Sequence, residues 1–198
     1  MAANTKNQIR QAFIDLLNER PLDKISVRDI AARGAVNRNT FYYYYADIYA
    51  LVEEMFQTEI DRFLERLHGY ASWQEAFREA TACATENRRA ICHLFNSGNR
   101  DILEHYYYKV TYAAMTAYVR SQAEGLDASQ RDIEALAAFY TAALAGLVLN
   151  WLRNGMKTDV DALIDRLSFL LDGYIRMSLE RGCQKDGGDQ APQKPSRK

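Results

Sequence analysis

Cysteine is scarce in this chain: Cys83, Cys92 and Cys183 are an odd number with no Cys-x-x-Cys pair, which argues against a disulfide framework or a zinc finger. A reducing compartment suits them. Prolines number three in all, and with no strand-like alternation and no internal repeat the pattern is all-α. No phosphate-binding glycine loop, nucleophile elbow, His-rich metal motif or carboxylate dyad is present, so the chain is not read as an enzyme and no cofactor or metal is expected. No apolar run reaches membrane length and the first residues lack a signal-peptide pattern, so a cytoplasmic protein that makes no membrane contact is expected. An excess of one charge is missing too. With 25 Lys and Arg against 26 Asp and Glu, net charge gives no sign of a nucleic-acid partner. The distribution does: residues 1–50 carry seven basic against five acidic side chains, residues 51–182 fourteen against nineteen, and residues 183–198 four against two. A mildly positive head on a negative body suits a protein that touches DNA only through its head.

What the chain has is tyrosine, with four in a row at 42–45. They end a stretch, residues 26–45, that reads as two short helices broken by a tight turn, because Ser26 and Asn37 are good N-caps and Gly34 sits where the first helix must stop. That is a helix-turn-helix. With Phe41 inward, Tyr45 falls beside it one turn later, and both pack with Val36 on Ile30. The outward face then carries Arg38, Asn39, Thr40, Tyr42, Tyr43 and Tyr44. Such a face suits the major groove, where Arg reads guanine, Asn reads adenine, and hydroxyls reach phosphate oxygens. The competing reading is an ordinary helical hairpin with a polar outside. An exposed aromatic run without a partner is a solubility liability, which favours DNA.

At Ile30-Ala31, Val36-Asn37-Arg38, Thr40 to the end of the tyrosine run, and Tyr49-Ala50-Leu51, the chain resembles the DNA-binding domain of the TetR/AcrR family of bacterial transcriptional regulators. The likeness covers about residues 5–55. It implies a DNA-contacting set of Arg28, Asn37, Arg38, Asn39, Thr40, Tyr42, Tyr43 and Tyr44. Two positions depart from the family pattern. The turn reads Gly34-Ala35 where relatives place a small residue and then Gly, so either the turn shifts by one or Ala35 accepts positive φ at about 1 kcal/mol. Ile48 stands where relatives usually have a Lys at a helix N-terminus, which leaves Asp47 as the cap but removes a phosphate anchor, with Lys6, Lys24 and Arg28 as substitutes.

Further along, a helix over 47–68 with Leu51, Met55, Phe56, Ile60, Phe63, Leu64 and Leu67 on one stripe forms a strut from head to body. Helices over 72–86, 90–95, 101–123, 129–153 and 159–182 follow. The last two carry more apolar surface than one buried face absorbs. Ala138, Ala142, Gly146, Leu167, Leu171 and Tyr174 are the expected seam of a homodimer, against the alternative of a thick monomeric core. The middle helices either enclose a ligand pocket lined by Trp73, Phe77, Cys92, His93, His105, Tyr108, Tyr112 and Met115, with Cys83, Phe95 and Tyr118 nearby, or pack these side chains as plain core.

The expected architecture is therefore all-α with about nine helices: a three-helix DNA-binding head over 1–50, a helical ligand-binding and dimerisation body over 51–182, and a disordered tail over 183–198. The function the resemblance implies is a sequence-specific transcriptional regulator, a ligand-responsive repressor acting as a homodimer on a palindromic operator. An activator, or a protein-binding adaptor with no small-molecule ligand, is the alternative.

Overall fold

The computed structural model describes residues 2–70, 72–98 and 100–188. Ten α-helices and two 3-10 turns span them, and no strand occurs among the described residues. The first helix, α1 (Ala2–Glu19), turns Ile9, Phe13, Leu16 and Leu17 inward at helical spacing and stops before Pro21. A 3-10 turn over Leu22–Lys24 leads to α2 (Val27–Arg33), which opens with a capping box: the Asp29 amide donates to Ser26 Oγ at 3.3 Å, and the Ser26 amide donates to the Asp29 carboxylate at 3.0 Å. Asn37 caps α3 (Arg38–Tyr44) by accepting from the Asn39 amide at 2.9 Å.

The turn between α2 and α3 settles the question raised by Gly34-Ala35. Ala35 itself takes the left-handed conformation, at φ 51°, while Gly34 stays at φ −82°. Gly34 is favoured for a different reason. A Cβ there would lie 3.2 Å from the Ile30 carbonyl oxygen and 3.3 Å from both Ala12 Cβ and the Gln8 carbonyl oxygen, so a side chain at this end of α2 would crowd α1 and one of them would have to shift by a few tenths of an ångström. Ile30 and Phe41 are completely buried at this junction and Tyr45 nearly so.

Asp47 caps α4 (Ile48–Arg66) by accepting from the Ala50 amide at 2.8 Å, and a 3-10 turn over Leu67–Gly69 ends it. The body adds α5 (Trp73–Glu86), α6 (Arg88–Phe95), α7 (Arg100–Gln122), α8 (Gln130–Arg153), α9 (Val160–Leu170) and α10 (Tyr174–Gly188). Helix α7 is the axis: it packs on α8, α4 and α5, which explains why it buries residues as widely spaced as Leu103, Tyr107, Val110 and Met115. One continuous core runs from Ile9 to Leu179. Head and body meet twice, through α4 and through α1 lying on α6.

Three expectations change here. The helix expected over 159–182 is two helices, broken after Leu170 with Gly173 at φ 73°. Gly182 is not a stop: a Cβ there would come within 2.6 Å of the Asp132 carboxylate, so it lets α10 cross the start of α8, and α10 continues to Gly188. The tail expected from 183 therefore begins inside a helix, and residues 189–198 lie outside the described residues. Contrary to the expectation that no apolar run is long enough, α8 is long and apolar enough to cross a membrane by length and composition alone; here its inner face packs on α7.

Because Ala35 sits at positive φ, Ala35→Gly should stabilise the protein by about 0.5–1 kcal/mol. Gly34→Val should destabilise it. Thermal melts by circular dichroism check both, and a lower melting temperature for Ala35→Gly would contradict the strain at this turn.

Candidate nucleic-acid interface

The outer face of α3 is open to solvent. Tyr43 is 81% exposed and Tyr42 49%, Arg28, Asn37, Arg38 and Asn39 are exposed, and Thr40 and Tyr44 are half-buried. The face is stiffened from behind: Phe41 meets Tyr42 edge-on with ring centroids 5.7 Å apart, and Tyr43 meets Tyr44 edge-on at 4.9 Å. Ion pairing separates the arginines. Arg20 reaches Asp29 at 3.2 Å and Arg33 reaches Glu19 at 2.9 Å, whereas Arg28 and Arg38 make no ion pair among the described residues. Arg28 on α2 and Arg38 on α3 thus stand exposed without an ion pair among the described residues, and Asn37 is committed to capping through its oxygen.

A cluster that sequence reading missed holds this helix in place. Glu54 on α4 accepts hydrogen bonds from Lys6 Nζ at 2.8 Å, from the Arg10 guanidinium, and from the Tyr45 hydroxyl at 3.2 Å. Arg10 also donates to Thr58 Oγ1 at 3.2 Å, and Lys6 Nζ lies 5.6 Å from the Tyr45 ring centre and 5.8 Å from that of Tyr44. Burial pushes the Glu54 carboxyl up, but the bonds from Lys6 and Arg10 outweigh it and hold the group below the ordinary glutamate range. The same bond holds the Lys6 ammonium above its ordinary value. Lys6 is therefore occupied by Glu54 instead of standing free as a phosphate anchor. Lys24 is exposed and 3.7 Å from Asp23, and Ile48 is half-buried against the core.

The expected ligand-pocket residues share no cavity of ligand size among the described residues. Trp73, Phe77 and Met115 border a void of about 10 Å³, and Trp73, Met115 and Tyr118 another of about 40 Å³, both far below ligand size. Tyr108 and Tyr112 are stacked on each other on the outside of α7 with His105 exposed beside them; Cys92 is half-buried against the core. His93 bonds through Nδ1 to the Leu17 carbonyl at 2.6 Å, which makes Nδ1 the donor and ties α6 to the last turn of α1. The side chain of Cys83 lies outside the described residues. Aromatic and Met residues at helical spacing were plain core or plain surface here. The large cavity, about 460 Å³, opens elsewhere, between α1, α4, α5, α6 and α7, and its lining includes Phe13, Met55, Phe56, Ile91 and Leu94.

The expected dimer residues lie at the surface, all exposed except Leu167. Ala138, Ala142 and Gly146 are exposed along α8, Leu171 and Tyr174 are exposed at the α9–α10 break, and Leu167 is half-buried. Phe139 at 66%, Phe169 at 74%, and Leu170 and Met177 at nearly half extend the exposed apolar surface on the same helices.

A capped helix-turn-helix with an open polar and aromatic second helix, fused to a helical body, defines the class of helix-turn-helix regulators. Residues 9–55 match the family of bacterial regulatory proteins described as tetR, and residues 71–173, over half the chain, match the transcriptional regulator C-terminal region of such proteins. This chain belongs to the TetR family of transcriptional regulators. It is 31% identical over 98 residues to the HTH-type regulator YvdT of Bacillus subtilis (strain 168), covering 46% of this chain and 50% of that one, and 28% identical over 57 residues to YxbF of the same organism, covering 29% and 15%. The chain thus spans half or less of the length of the curated relatives it matches. Among solved structures it is similar to the dihydroxyacetone kinase operon activator DhaS (TM-score 0.73, 20% identity, 87% and 97% covered). It is also similar to the fatty acid degradation regulator FadR from Bacillus halodurans (0.62, 16%, 84% and 94%) and to FadR from Bacillus subtilis in complex with stearoyl-CoA (0.58, 19%, 83% and 96%).

The shared carboxylate has a pH signature. A carboxyl held below its ordinary value contributes stability above the unfolded-state value of about 4.5 and loses it as pH falls through the lower folded value. Glu54→Gln should therefore cost about 1–2 kcal/mol at neutral pH, and the gap in melting temperature from wild type should close on acidification. A gap that persists at low pH would assign the loss to packing instead.

Proposed function

We propose that the chain is a homodimeric, ligand-responsive repressor that binds a short, roughly palindromic DNA operator through α3 of each copy. The observation that carries this reading is the outer face of α3, where Arg38, Tyr42 and Tyr43 stand exposed on a fully buried Phe41. Residues 1–50 serve as the DNA-binding head and residues 51–182 as the regulatory and dimerising body, working in the cytoplasm. Dimerisation through the exposed faces of α8, α9 and α10 would bury Phe139, Phe169 and Tyr174 and set two heads against two half-sites. The cavity under α1 supports response to a small molecule, which can shift the DNA-binding equilibrium only by its differential affinity for the two conformations. Because the neighbour DhaS is described as an operon activator, activation is the second reading of the sign of regulation, and a reporter driven by the operator decides between them.

Arg38→Ala and Tyr43→Ala should each cost about 1–3 kcal/mol of specific binding and relax preference at one operator position. Equal losses on specific and random duplexes, measured by fluorescence anisotropy, would contradict base reading. A Cβ at Gly146 meets nothing within 4 Å inside one copy, so Gly146→Leu leaves the protomer fold alone and overpacks the seam. Sedimentation should show monomers; a dimer of unchanged affinity would place the seam elsewhere.

A further inference from the structure

The cavity of about 460 Å³ falls in the range of small-molecule sites, and its walls divide by chemistry. Phe13, Leu17, Met55, Phe56, Ile91 and Leu94 make an apolar chamber. Charged residues also line it, and most of them are already paired: Arg62 with Glu59 at 2.6 Å and Arg66 with Glu79 at 2.7 Å, with Glu86 exposed. Arg10 lines it too and is ion-paired to Glu54. Its Nε is buried and has no hydrogen-bond partner, although another guanidinium nitrogen holds Glu54 and Thr58. A buried unpaired N–H of a cation is costly, so a shift of the Arg10 side chain that brings it to an acceptor in the cavity is favoured by a charge-assisted bond in an apolar setting.

We propose that this cavity binds an amphiphilic monoanion, its apolar chain in the chamber and its acidic group on Arg10, and that this contact draws Arg10 from Glu54 and so loosens Tyr45 at the end of α3. The inference rests on the regulator reading above and names the effector class and its route. The route is short. Arg10 lines the cavity and bonds Glu54, Glu54 holds the Tyr45 hydroxyl, and Tyr45 ends the helix that faces DNA. An anion competing for Arg10 leaves Glu54 with Lys6 and Tyr45 alone, so α1 and α3 lose one of their shared fastenings to α4.

Decanoate, decanol and decylamine serve as probes on the full chain, with binding read by calorimetry without DNA and operator affinity by anisotropy. Decanoate should bind once per chain and weaken operator binding. Arg10→Met should lower decanoate affinity about tenfold or more while changing decanol affinity little, and Ala82→Phe, which fills the lining from α5, should lower both. Decylamine binding as tightly as decanoate would overturn the anion assignment in favour of Glu86. Decanoate binding untouched by Ala82→Phe would overturn the site, and decanoate bound there with unchanged operator affinity would overturn the route through Glu54. Each of these is separable from failure of the regulator reading, which shows as a ligand-free wild-type chain that selects no duplex at all. Melts of both variants confirm that they fold.

Discussion

Glu54 must satisfy three donors from three places in the chain, and the position of the recognition helix depends on its doing so. Lys6 and Arg10 come from α1, Tyr45 from the end of α3, and the carboxylate itself stands on the helix that enters the body. A half-buried carboxylate surrounded by two cations and a hydroxyl keeps its charge because the bonds it accepts outweigh the desolvation. Take the carboxylate away and two cations face each other beside a tyrosine with nothing between them. The apolar core under α3, with Ile30, Phe41 and Leu51 at zero exposure, fixes distance, whereas Glu54 fixes direction, since a hydrogen bond has an angle and a greasy contact does not.

The second attachment of head to body bears on how a signal travels. If α4 were the sole link, the head would swing on one strut; because α1 also lies on α6, with the His93 to Leu17 bond between them, any shift of α6 is felt by the head directly. The cavity lies in this double junction, bordered by α1 as well as by the body helices. Packed interfaces of this kind change between discrete arrangements more readily than they deform.

Much of the head was legible in the residues because its signals are local. Ser26, Asn37 and Asp47 announced three helix starts that the structure shows capped as expected, and Phe41 and Tyr45 faced inward by spacing alone. The Glu54 cluster was not legible, since its partners on α1 are 44 and 48 residues away and no periodicity marks them. The cavity failed for a related reason: aromatic side chains at helical spacing say that a face is apolar, not whether a neighbouring helix fills it, and Trp73, Phe77 and Met115 are filled whereas Tyr108 and Tyr112 face solvent. Glycine shows the same limit: Gly173 breaks a segment expected as one helix, and Gly182, expected to end it, lies inside α10 and serves close approach instead.

Sequence-specific reading of DNA by paired α3 helices is tested most directly by selection. Full-length chain is mixed with a pool of random duplexes at physiological salt, the retained duplexes are sequenced through successive rounds, and the winners are footprinted with hydroxyl radicals. The expected result is enrichment of inverted repeats whose half-site centres lie about 34 Å apart or a multiple of it along the helix, with two protected patches on one face. A retained pool no different in sequence from the input would contradict base reading by α3, and enrichment of a single unrepeated site with one protected patch would contradict the pairing of two heads.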